Sequence, residues 1–398
     1  MKKVFLSLLA IAIGLTTIVN AEAQTVDTSS YIKLFFKPSV DSISLDLSTI
    51  ADSIPIKMVS GTKDTTILGR SIWIGDKKYA VGADTMVIYG LVNQFNCGKN
   101  GEKLIGIDIS HSPELISLYC EKDSISSLDL TKNEKLINVE CYDNKISSLD
   151  LSKNTKLSRF SCYRNLLTSL DVRNCTELTF LSCHSNKIGS LDVTNNTKLR
   201  ILNFRSNRIE SIDLSKNTEL EWLYCHENRL TSLDITNNRE LNSIYCYGNK
   251  LSTQALDDLY CQLPNRNDSA EVGKLQLLLG PSSQKDTVLA TNNQNAFDRN
   301  WRLQYFSNGL SIPDTHGDYT CPNTSLEVAR AEFSFYPNPV DAVLHVTSDK
   351  MVKTIMIYNV YGIEVARAYN VDRIDLSHLP SGVYLVKADD TISRIVKK

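Results

Sequence analysis

The 398-residue sequence lacks the features that mark several classes of protein. Its 43 basic and 45 acidic residues nearly cancel, and the formal net charge is −2. A near-neutral chain with no basic run does not indicate a nucleic-acid binder or a polybasic membrane surface. Beyond the N-terminal segment no apolar run is long enough to span a bilayer. We therefore expect no nucleic-acid partner and no transmembrane segment in the mature chain.

The common catalytic and metal-binding motifs are missing as well. The sequence contains no nucleophile elbow, no H-E-x-x-H, no phosphate-binding glycine loop and no C-x-x-C pair. The six histidines are scattered, and no carboxylate pair stands apart from the repeats described below. The sequence thus predicts a protein that is not an enzyme, with no catalytic residues, no cofactor and no metal site.

The N-terminus has the three parts of a secretory signal peptide. Lys2 and Lys3 supply the positive end, Val4 to Val19 form the apolar core, and Ala21-Glu22-Ala23 provides an A-x-A cleavage site. A membrane anchor is the alternative, but the apolar core is short and the cleavage site is well formed. We predict that residues 1–23 are removed and that the exported chain begins at Gln24.

A repeat of 21 residues dominates the middle of the chain. The units follow the consensus L-x-x-L-x-C-x-x-N, with other apolar residues at some leucine positions, Phe204 at one cysteine position and Asp123 at one asparagine position. A Ser-hydrophobic-Asp-hydrophobic block follows and begins at Ser127, Ser148, Ser169, Ser190, Ser211 and Ser232. This period and pattern are the signature of leucine-rich repeats. Eight units cover residues 92–251, the last without its second half. Stacked units predict an α/β-type right-handed solenoid dominated by β structure, with one parallel sheet.

Seven cysteines share one position of the repeat. They alternate with outward residues along a predicted strand, so they should point inward and pack as free thiols. A disulfide ladder is unlikely because in-register neighbours stay about 4.8 Å apart, farther than the ~3.8 Å that bonded Cβ atoms prefer. Phe204 replaces cysteine in one unit, and its larger side chain must either distort its strand or fill space left by the adjacent cysteines. The predicted structural cysteine ladder is Cys97, Cys120, Cys141, Cys162, Cys183, Cys225 and Cys246.

Asparagine and aspartate also recur once per unit. The asparagine columns (Asn144 to Asn249 after the strand, Asn133 to Asn238 on the opposite turn, interrupted by Cys175) should satisfy buried backbone groups. The aspartates from Asp108 to Asp234 could act as calcium ligands, but one carboxylate per unit supplies fewer oxygen atoms than a calcium ion takes. We expect each aspartate to accept N–H bonds from its own turn.

The outward residues of the strands vary from unit to unit and are rich in Tyr, Trp, His and Arg, the types enriched in binding hot spots. They could instead merely stack on one another as cross-strand pairs. We predict ligand binding on this concave face, with an aromatic cluster at its C-terminal end. The predicted ligand-binding residues are Tyr119, Glu140, Tyr142, Arg159, Tyr163, Phe180, His184, Arg205, Trp222, Tyr224, His226, Tyr245 and Tyr247.

Regions on both sides of the repeats should cover the open ends of the solenoid. Residues 24–91 predict an N-terminal β cap, with strands at 31–36, 43–47, 54–59, 71–74, 78–81 and 86–89. Residues 252–306 predict a C-terminal cap, with a helix at 252–263, strands at 274–279 and 301–306, and a polar helix at 291–300. Residues 307–332 are predicted to be a linker. A disulfide between Cys261 and Cys321 is possible.

Residues 333–398 predict a small immunoglobulin-like β-sandwich, with strands at 343–346, 354–358, 364–368, 382–386 and 392–396. Its motif residues are Tyr336, Pro337, Asn338, Pro339, Gly382 and Tyr384, with a basic end at Lys397-Lys398. This module resembles the C-terminal sorting domain of the type IX secretion system of Bacteroidetes. The resemblance implies export across the outer membrane, recognition by the secretion machinery, and a mature protein on the cell surface or released.

The repeats themselves resemble the cysteine-ladder repeats of internalin J-like surface proteins, over about residues 92–260. That resemblance implies a binding surface rather than an active site. We therefore expect a surface or secreted protein that binds a host or bacterial protein or glycan, in attachment, biofilm formation or virulence. The alternatives are a passive structural protein of the cell surface and, less expected, catalysis in the flanking domains.

Overall fold

The computed structural model describes residues 25–98, 100–279, 285–312, 315–321, 334–336, 338–347, 352–359, 362–388 and 391–398. The predicted signal peptide lies outside these residues. The chain divides into two compact units, residues 1–320 and 321–398. The described part contains no helix that is long and apolar enough to cross a membrane.

The N-terminal cap is built from six strands, as its alternation of apolar and polar residues predicts. The strands are β1 Tyr31–Phe36, β2 Ser42–Thr49, β3 Pro55–Ser60, β4 Lys63–Leu68, β5 Lys77–Ala80 and β6 Thr85–Tyr89. The prediction of a strand at 71–74 is wrong. The additional strand of the cap is instead β4, at Lys63–Leu68. Gly61, at φ 60°, allows a tight turn after β3, and the β-branched run that follows it pairs back onto β3.

The repeats form short parallel strands in register, as predicted. They are β7 Val92–Asn96, β9 Ser117–Tyr119, β10 Asn138–Glu140, β11 Arg159–Ser161, β12 Phe180–Ser182, β13 Ile201–Asn203, β14 Trp222–Tyr224 and β15 Ser243–Tyr245. The repeat region also contains β8 Leu104–His111, which is antiparallel to β1. All except β8 belong to one sheet. On the opposite wall of the described repeats only β8 is a strand, and it pairs antiparallel with β1. In the later units the Ser-Leu-Asp-Leu blocks have no regular secondary structure and are followed by a two-residue turn.

Caps at both ends continue the sheet of the repeats. At the N-terminal end β2 pairs antiparallel with β7. The C-terminal cap consists of α1 Thr253–Gln262, β16 Gly273–Leu278, α2 Lys285–Leu289, α3 Gln294–Phe297 and β17 Trp301–Tyr305. Strands β16 and β17 extend the parallel strands of the repeats, and together with the antiparallel β2 and β5 the sheet has twelve strands. The helix predicted at 291–300 is reduced to the short α3, and α2 precedes it.

Part of the predicted linker packs on the solenoid. Ile312 N–H donates to the Leu303 carbonyl, and Gly317 N–H donates to the Thr291 carbonyl. The Tyr319 hydroxyl donates to Asp258 Oδ1 at 2.8 Å. The polar composition that predicted a linker here serves to satisfy the backbone at the end of the solenoid. Residues 322–333 lie outside the described part.

The inward-facing columns of the repeat are buried, as predicted. The seven ladder cysteines are at most 2% exposed and all are free thiols. Phe204 is fully buried, and β13 keeps its register with both neighbours, so the ring fills the space beside the smaller Cys183 and Cys225 without distorting its strand. Cys261 and Cys321 are disulfide-bonded cysteines.

Both asparagine columns bond the backbone of successive units. Asn144 Nδ2 donates to the carbonyls of Cys120 and Cys141, at 2.8 and 3.1 Å, and Asn144 Oδ1 accepts from Ile125 N–H. In the second column, Asn154 Nδ2 donates to the Leu130 and Asn133 carbonyls. These side chains therefore join each unit to the one before it.

The C-terminal unit consists of two small antiparallel sheets. Its strands are β18 Ser334–Tyr336, β19 Val343–Thr347, β20 Thr354–Tyr358, β21 Glu364–Tyr369, β22 Arg373–Asp375, β23 Gly382–Ala388 and β24 Thr391–Lys397. Their orders are β18-β19-β22 and β21-β20-β23-β24. Side chains from both sheets, including Leu344 and Ile357, form one core, as in a β-sandwich. The short strands β18 and β22 were not predicted as strands.

Candidate functional site

Strands β9 to β15 present three columns of outward side chains on the concave face. Because the strands pair in register, side chains of equivalent positions lie side by side. The first column is Ser117, Asn138, Arg159, Phe180, Ile201, Trp222 and Ser243. The second is Tyr119, Glu140, Ser161, Ser182, Asn203, Tyr224 and Tyr245. The third is Glu121, Tyr142, Tyr163, His184, Arg205, His226 and Tyr247.

Rings in the third column stack face to face along the solenoid. The Tyr142 and Tyr163 centroids are 4.2 Å apart with planes at 9°, and Tyr163 lies 4.2 Å from His184 at 11°. After Arg205 interrupts the stack, it resumes with His226 and Tyr247 at 4.4 Å. Neighbouring strands lie about 4.8 Å apart, so rings at equivalent positions are already close to stacking distance. The stacking reduces the access of solvent to the ring faces.

Both histidines are neutral members of this column. His184 and His226 are 5% and 1% exposed. Burial, followed by the charge of Arg205, lowers the pKa of His184 to about 3 and that of His226 to about 4. With Tyr247, which is 5% exposed, they offer little area to a partner. Their predicted part in ligand binding stays a prediction, since their visible contacts are with their neighbours.

An aromatic cluster occupies the C-terminal end of the face. Trp222 stacks on Tyr224 with centroids 6.3 Å apart, and Tyr224 stacks on Tyr245 at 4.5 Å. Phe306 completes the cluster at 5.0 Å from Tyr247, although its ring is 41% exposed. The sequence prediction missed Phe306 because it follows β17, outside the repeats. The sequence signal that could have identified Phe306 is its position directly after a predicted strand that would extend the sheet of the repeats.

The N-terminal end of the face carries a second residue that the prediction missed. Trp73 meets the Tyr119 ring edge-on at 5.8 Å and 65°. The segment around it joins the edge of β2 through hydrogen bonds from Ile74 N–H to the Leu47 carbonyl and from Gly75 N–H to Asp46 Oδ1. Nothing in the periodicity of the repeats could have indicated this contact.

The centre of the face is a shallow trough. Its floor consists of the small second-column residues Ser161, Ser182 and Asn203 on β11, β12 and β13. On one side the Arg159 guanidinium lies over the Phe180 ring, 4.6 Å from its centroid. On the other side Arg205 stands between the two histidines. We call this feature the central trough.

The convex aspartates bond their own turns, as predicted. In every unit from Asp108 to Asp234 the Oδ1 atom accepts the N–H two residues ahead. The side-chain and backbone hydrogen bonds of Arg173 lower the pKa of Asp171 to about 2. A cavity of about 540 Å³ lies beside Asp108, Asp129 and Asp150. No group of His, Cys, Asp or Glu suited to a metal occurs among the described residues.

The buried thiols should be unreactive in the native protein. Burial raises the pKa of Cys141, Cys183 and Cys246 to about 12, so almost no thiolate exists near pH 8. We expect iodoacetamide to modify none of the eight free cysteines of the folded chain and all eight in concentrated guanidinium chloride. Mass spectrometry of the labelled chain checks this. Rapid modification of any ladder cysteine under native conditions would contradict the inward placement of the column.

Several motif residues of the C-terminal unit hold its strands together. Asn338 Nδ2 donates to the Arg394 carbonyl, and Asn338 Oδ1 accepts from Val396 N–H. The Tyr384 hydroxyl donates to the Pro380 carbonyl at 2.9 Å, and Tyr336 stacks on His345. Gly382 begins β23, and the Asn338–Pro339 peptide bond is cis. The predicted motif residue Pro337 lies outside the described residues.

Several solved structures resemble the chain in fold. The functional domain of InlJ from Listeria monocytogenes, described as including a cysteine ladder, is 22% identical, covers 76% of this chain and 70% of its own, and has a TM-score of 0.41. A leucine-rich-repeat protein of Leptospira interrogans is 19% identical over 54% of this chain and 52% of its own, with a TM-score of 0.37. A plant peptide hormone receptor, RGFR1 in complex with RGF2, is 24% identical over 36% of this chain and 26% of its own, with a TM-score of 0.34.

No curated protein matches the chain significantly. One family model matches, over residues 334–398, and its description is secretion system C-terminal sorting domain. The match covers the seven strands of the C-terminal unit, in agreement with the motif residues noted above. The chain is therefore a leucine-rich-repeat solenoid with a buried cysteine ladder, followed by a secretion system C-terminal sorting domain.

Proposed function

We propose that the exported protein binds a host or bacterial surface protein or glycan through its concave face and so contributes to attachment or biofilm formation. The observation that carries the proposal is the half-exposed cluster of Trp222, Tyr224 and Tyr245. Aromatic side chains grouped on an otherwise polar surface usually mark an interaction site. The sorting domain supports export and a surface or secreted location.

The rigidity of the face favours binding. Stacking fixes the rings in place before any partner arrives, so little side-chain entropy is lost when a complex forms. Tyr, Trp and Arg are also the residue types that supply most of the binding energy at interfaces. The half-buried rings stand on strands whose inner sides pack in the core, and this holds them at fixed spacing.

Replacing Trp222 and Tyr224 together with alanine should weaken binding at least tenfold, because each ring is a candidate hot spot. The full chain and the variant are compared on an array of matrix proteins and glycans and in attachment to cells. The far-UV circular dichroism of the variant should match that of the parent, because both side chains point away from the core.

Leu166→Ala is a matched control, because it removes a 44% exposed apolar side chain outside the concave columns. Its binding should equal that of the parent. Equal binding by Trp222→Ala/Tyr224→Ala would reject the concave face as the binding surface. A parent chain that binds nothing on the array and does not attach would favour a passive structural role.

A further inference from the structure

We infer that the central trough binds an acidic, extended segment of a protein partner, a conclusion that rests on the proposed concave-face binding. The trough combines two arginines, a polar floor on β11, β12 and β13, and the stacked rings of Tyr163 and His184. Each of these features favours an anion, and together they select a peptide over a saccharide.

Arg159 is an exposed cation whose charge, like that of Glu140 on the preceding strand, acts on Tyr119. Its side chain is exposed and lies over Phe180, and within the described part of the chain its guanidinium makes no hydrogen bond or ion pair. Several other arginines of the solenoid are paired, such as Arg164 with Asp143 and Arg200 with Glu221. Guanidinium groups bind carboxylates in a bidentate manner, so Arg159 is available to an acidic ligand.

Arg205 is a half-buried cation surrounded by aromatic groups. Its charge acts on His184, His226, Tyr224 and Tyr247, and it too has no ion pair within the described residues. Placing a charge in such surroundings is costly unless an opposite charge compensates it. The carboxylate of Glu227, in the next unit, accepts a hydrogen bond from Ser206, and its charge acts together with that of Arg205 on His226 and Tyr247, so it compensates Arg205 in part. A ligand carboxylate over the trough would compensate Arg205.

The ring stack strengthens the preference for an anion and for a peptide. Rings stacked at 9–11° along the solenoid direct their edges, rather than their faces, toward a partner. Ring edges carry the positive part of the aromatic quadrupole. A saccharide that stacks on an aromatic ring needs an open face, and both faces of Tyr163 are covered, by Tyr142 and His184. An extended peptide needs no such face.

The trough also has dimensions that suit a short peptide. Glu140 and Tyr224 bound its floor four strand steps apart, which is about 19 Å at the strand spacing. An extended chain rises about 3.3 Å per residue, so about six residues fit. Ile201 and Trp222 line the first column beyond Phe180 and would receive apolar side chains. The expected ligand segment therefore mixes acidic with apolar residues.

The full chain is tested against a six-residue peptide of alternating Glu and Leu, its Gln analogue, and polygalacturonate as an acidic polysaccharide. We expect the Glu peptide to bind and the Gln analogue to bind at least tenfold more weakly. Arg159→Gln/Arg205→Gln should reduce binding of the Glu peptide at least tenfold, and added salt should weaken it. Arg208→Gln, at an exposed position outside the concave columns, is the matched control and should bind as the parent does.

The pH profile gives a second measurement. Arginine stays charged, and the buried histidines stay neutral above about pH 5 because their pKa values are about 3 and 4. Binding should therefore be constant between about pH 6 and 9. A loss of affinity near pH 6.5 would overturn the assignment to arginine and indicate a histidine site.

The binding measurements can also overturn the inference. Failure of the Glu peptide to bind, equal binding of its Gln analogue, or an unchanged double arginine variant overturns it. Tighter binding of polygalacturonate than of the peptide overturns the choice of a peptide. The proposed function would still stand after any of these results if Trp222→Ala/Tyr224→Ala lost the partner found on the array, so the two conclusions fail separately.

Discussion

Replacing Asn165 with alanine should lower the free energy of unfolding by about 3 kcal/mol, because the change removes three buried hydrogen bonds and leaves the Ile146 N–H without its acceptor. Asn165 Nδ2 donates to the carbonyls of Cys141 and Cys162, both at 3.0 Å, and Oδ1 accepts from Ile146 N–H at 3.0 Å. The side chain is 6% exposed, so water cannot replace these bonds without opening the turn.

The position of Asn165 in the middle of the solenoid enlarges this effect. The stability of a repeat protein depends on the contact of each unit with its neighbours, and this amide links two of them. Equilibrium denaturation with guanidinium chloride measures the change. Asn174→Ala is the control, because the Asn174 amide is exposed and donates one bond, to the Ser152 carbonyl at 3.3 Å. A loss at Asn165 no larger than the loss at Asn174 would disprove the structural role of the column.

Asp123→Asn should stabilise the protein by about 2–4 kcal/mol above pH 7, because a difference of one pKa unit is worth about 1.4 kcal/mol. Asp123 occupies the position that asparagine holds in the other units, as at Asn100 and Asn144. Its Oδ1 accepts from Leu104 N–H, whereas Oδ2 is buried without a hydrogen-bond partner in the described structure. Burial is the main cause that raises the pKa of Asp123 to about 7.

The pH dependence of this prediction follows from the raised pKa. An unfolded aspartate has a pKa near 3.9, so the folded chain binds the proton more tightly than the unfolded chain does. Below about pH 4 both states are protonated and the carboxyl adds no penalty. As pH rises through 7 the folded chain must hold a buried charge and loses stability, while Asp123→Asn does not titrate. The advantage of the variant should therefore grow between about pH 4 and 7 and then stay constant.

The exposed Asp150 is the control for Asp123. Its turn hydrogen bonds with Ser152 lower its pKa, so Asp150→Asn should destabilise rather than stabilise the protein near neutral pH. Thermal unfolding of both variants across this pH range makes the comparison. Equal stability of parent and Asp123→Asn at pH 8 would show that Asp123 does not carry a buried charge.

The structure of the repeats could be predicted from sequence because the residues of each column have the same structural role in every unit. Leu118 and its equivalents must fill the core, Asn144 and its equivalents must satisfy the turn, and Asp129 and its equivalents must accept the next N–H. Each position therefore tolerates few residue types, and the period of 21 makes the choice visible. The inward thiols and the structural role of the aspartates follow from the same logic.

The caps and the fine structure of the concave face could not be predicted in this way. Residues 71–74 contain a larger share of strand-forming residue types than residues 63–68, but the hairpin at Gly61 pairs residues 63–68 with β3. Trp73 and Phe306 reach the face from outside the repeats, through tertiary contacts that leave no periodic signal. The burial of His184 and His226 depends on the rings that stack beside them, and side-chain alternation alone cannot reveal this.

Hydrogen–deuterium exchange of the full chain, with and without the partner found on the array, tests the central claim most directly. The claim is that a rigid solenoid presents its concave side chains to the partner. It predicts slowed exchange at 159–163, 180–184, 201–205 and 222–226, and unchanged exchange at the convex turns around Asp150 and Asp192. Protection confined to those convex turns, or to residues 334–398, would contradict it.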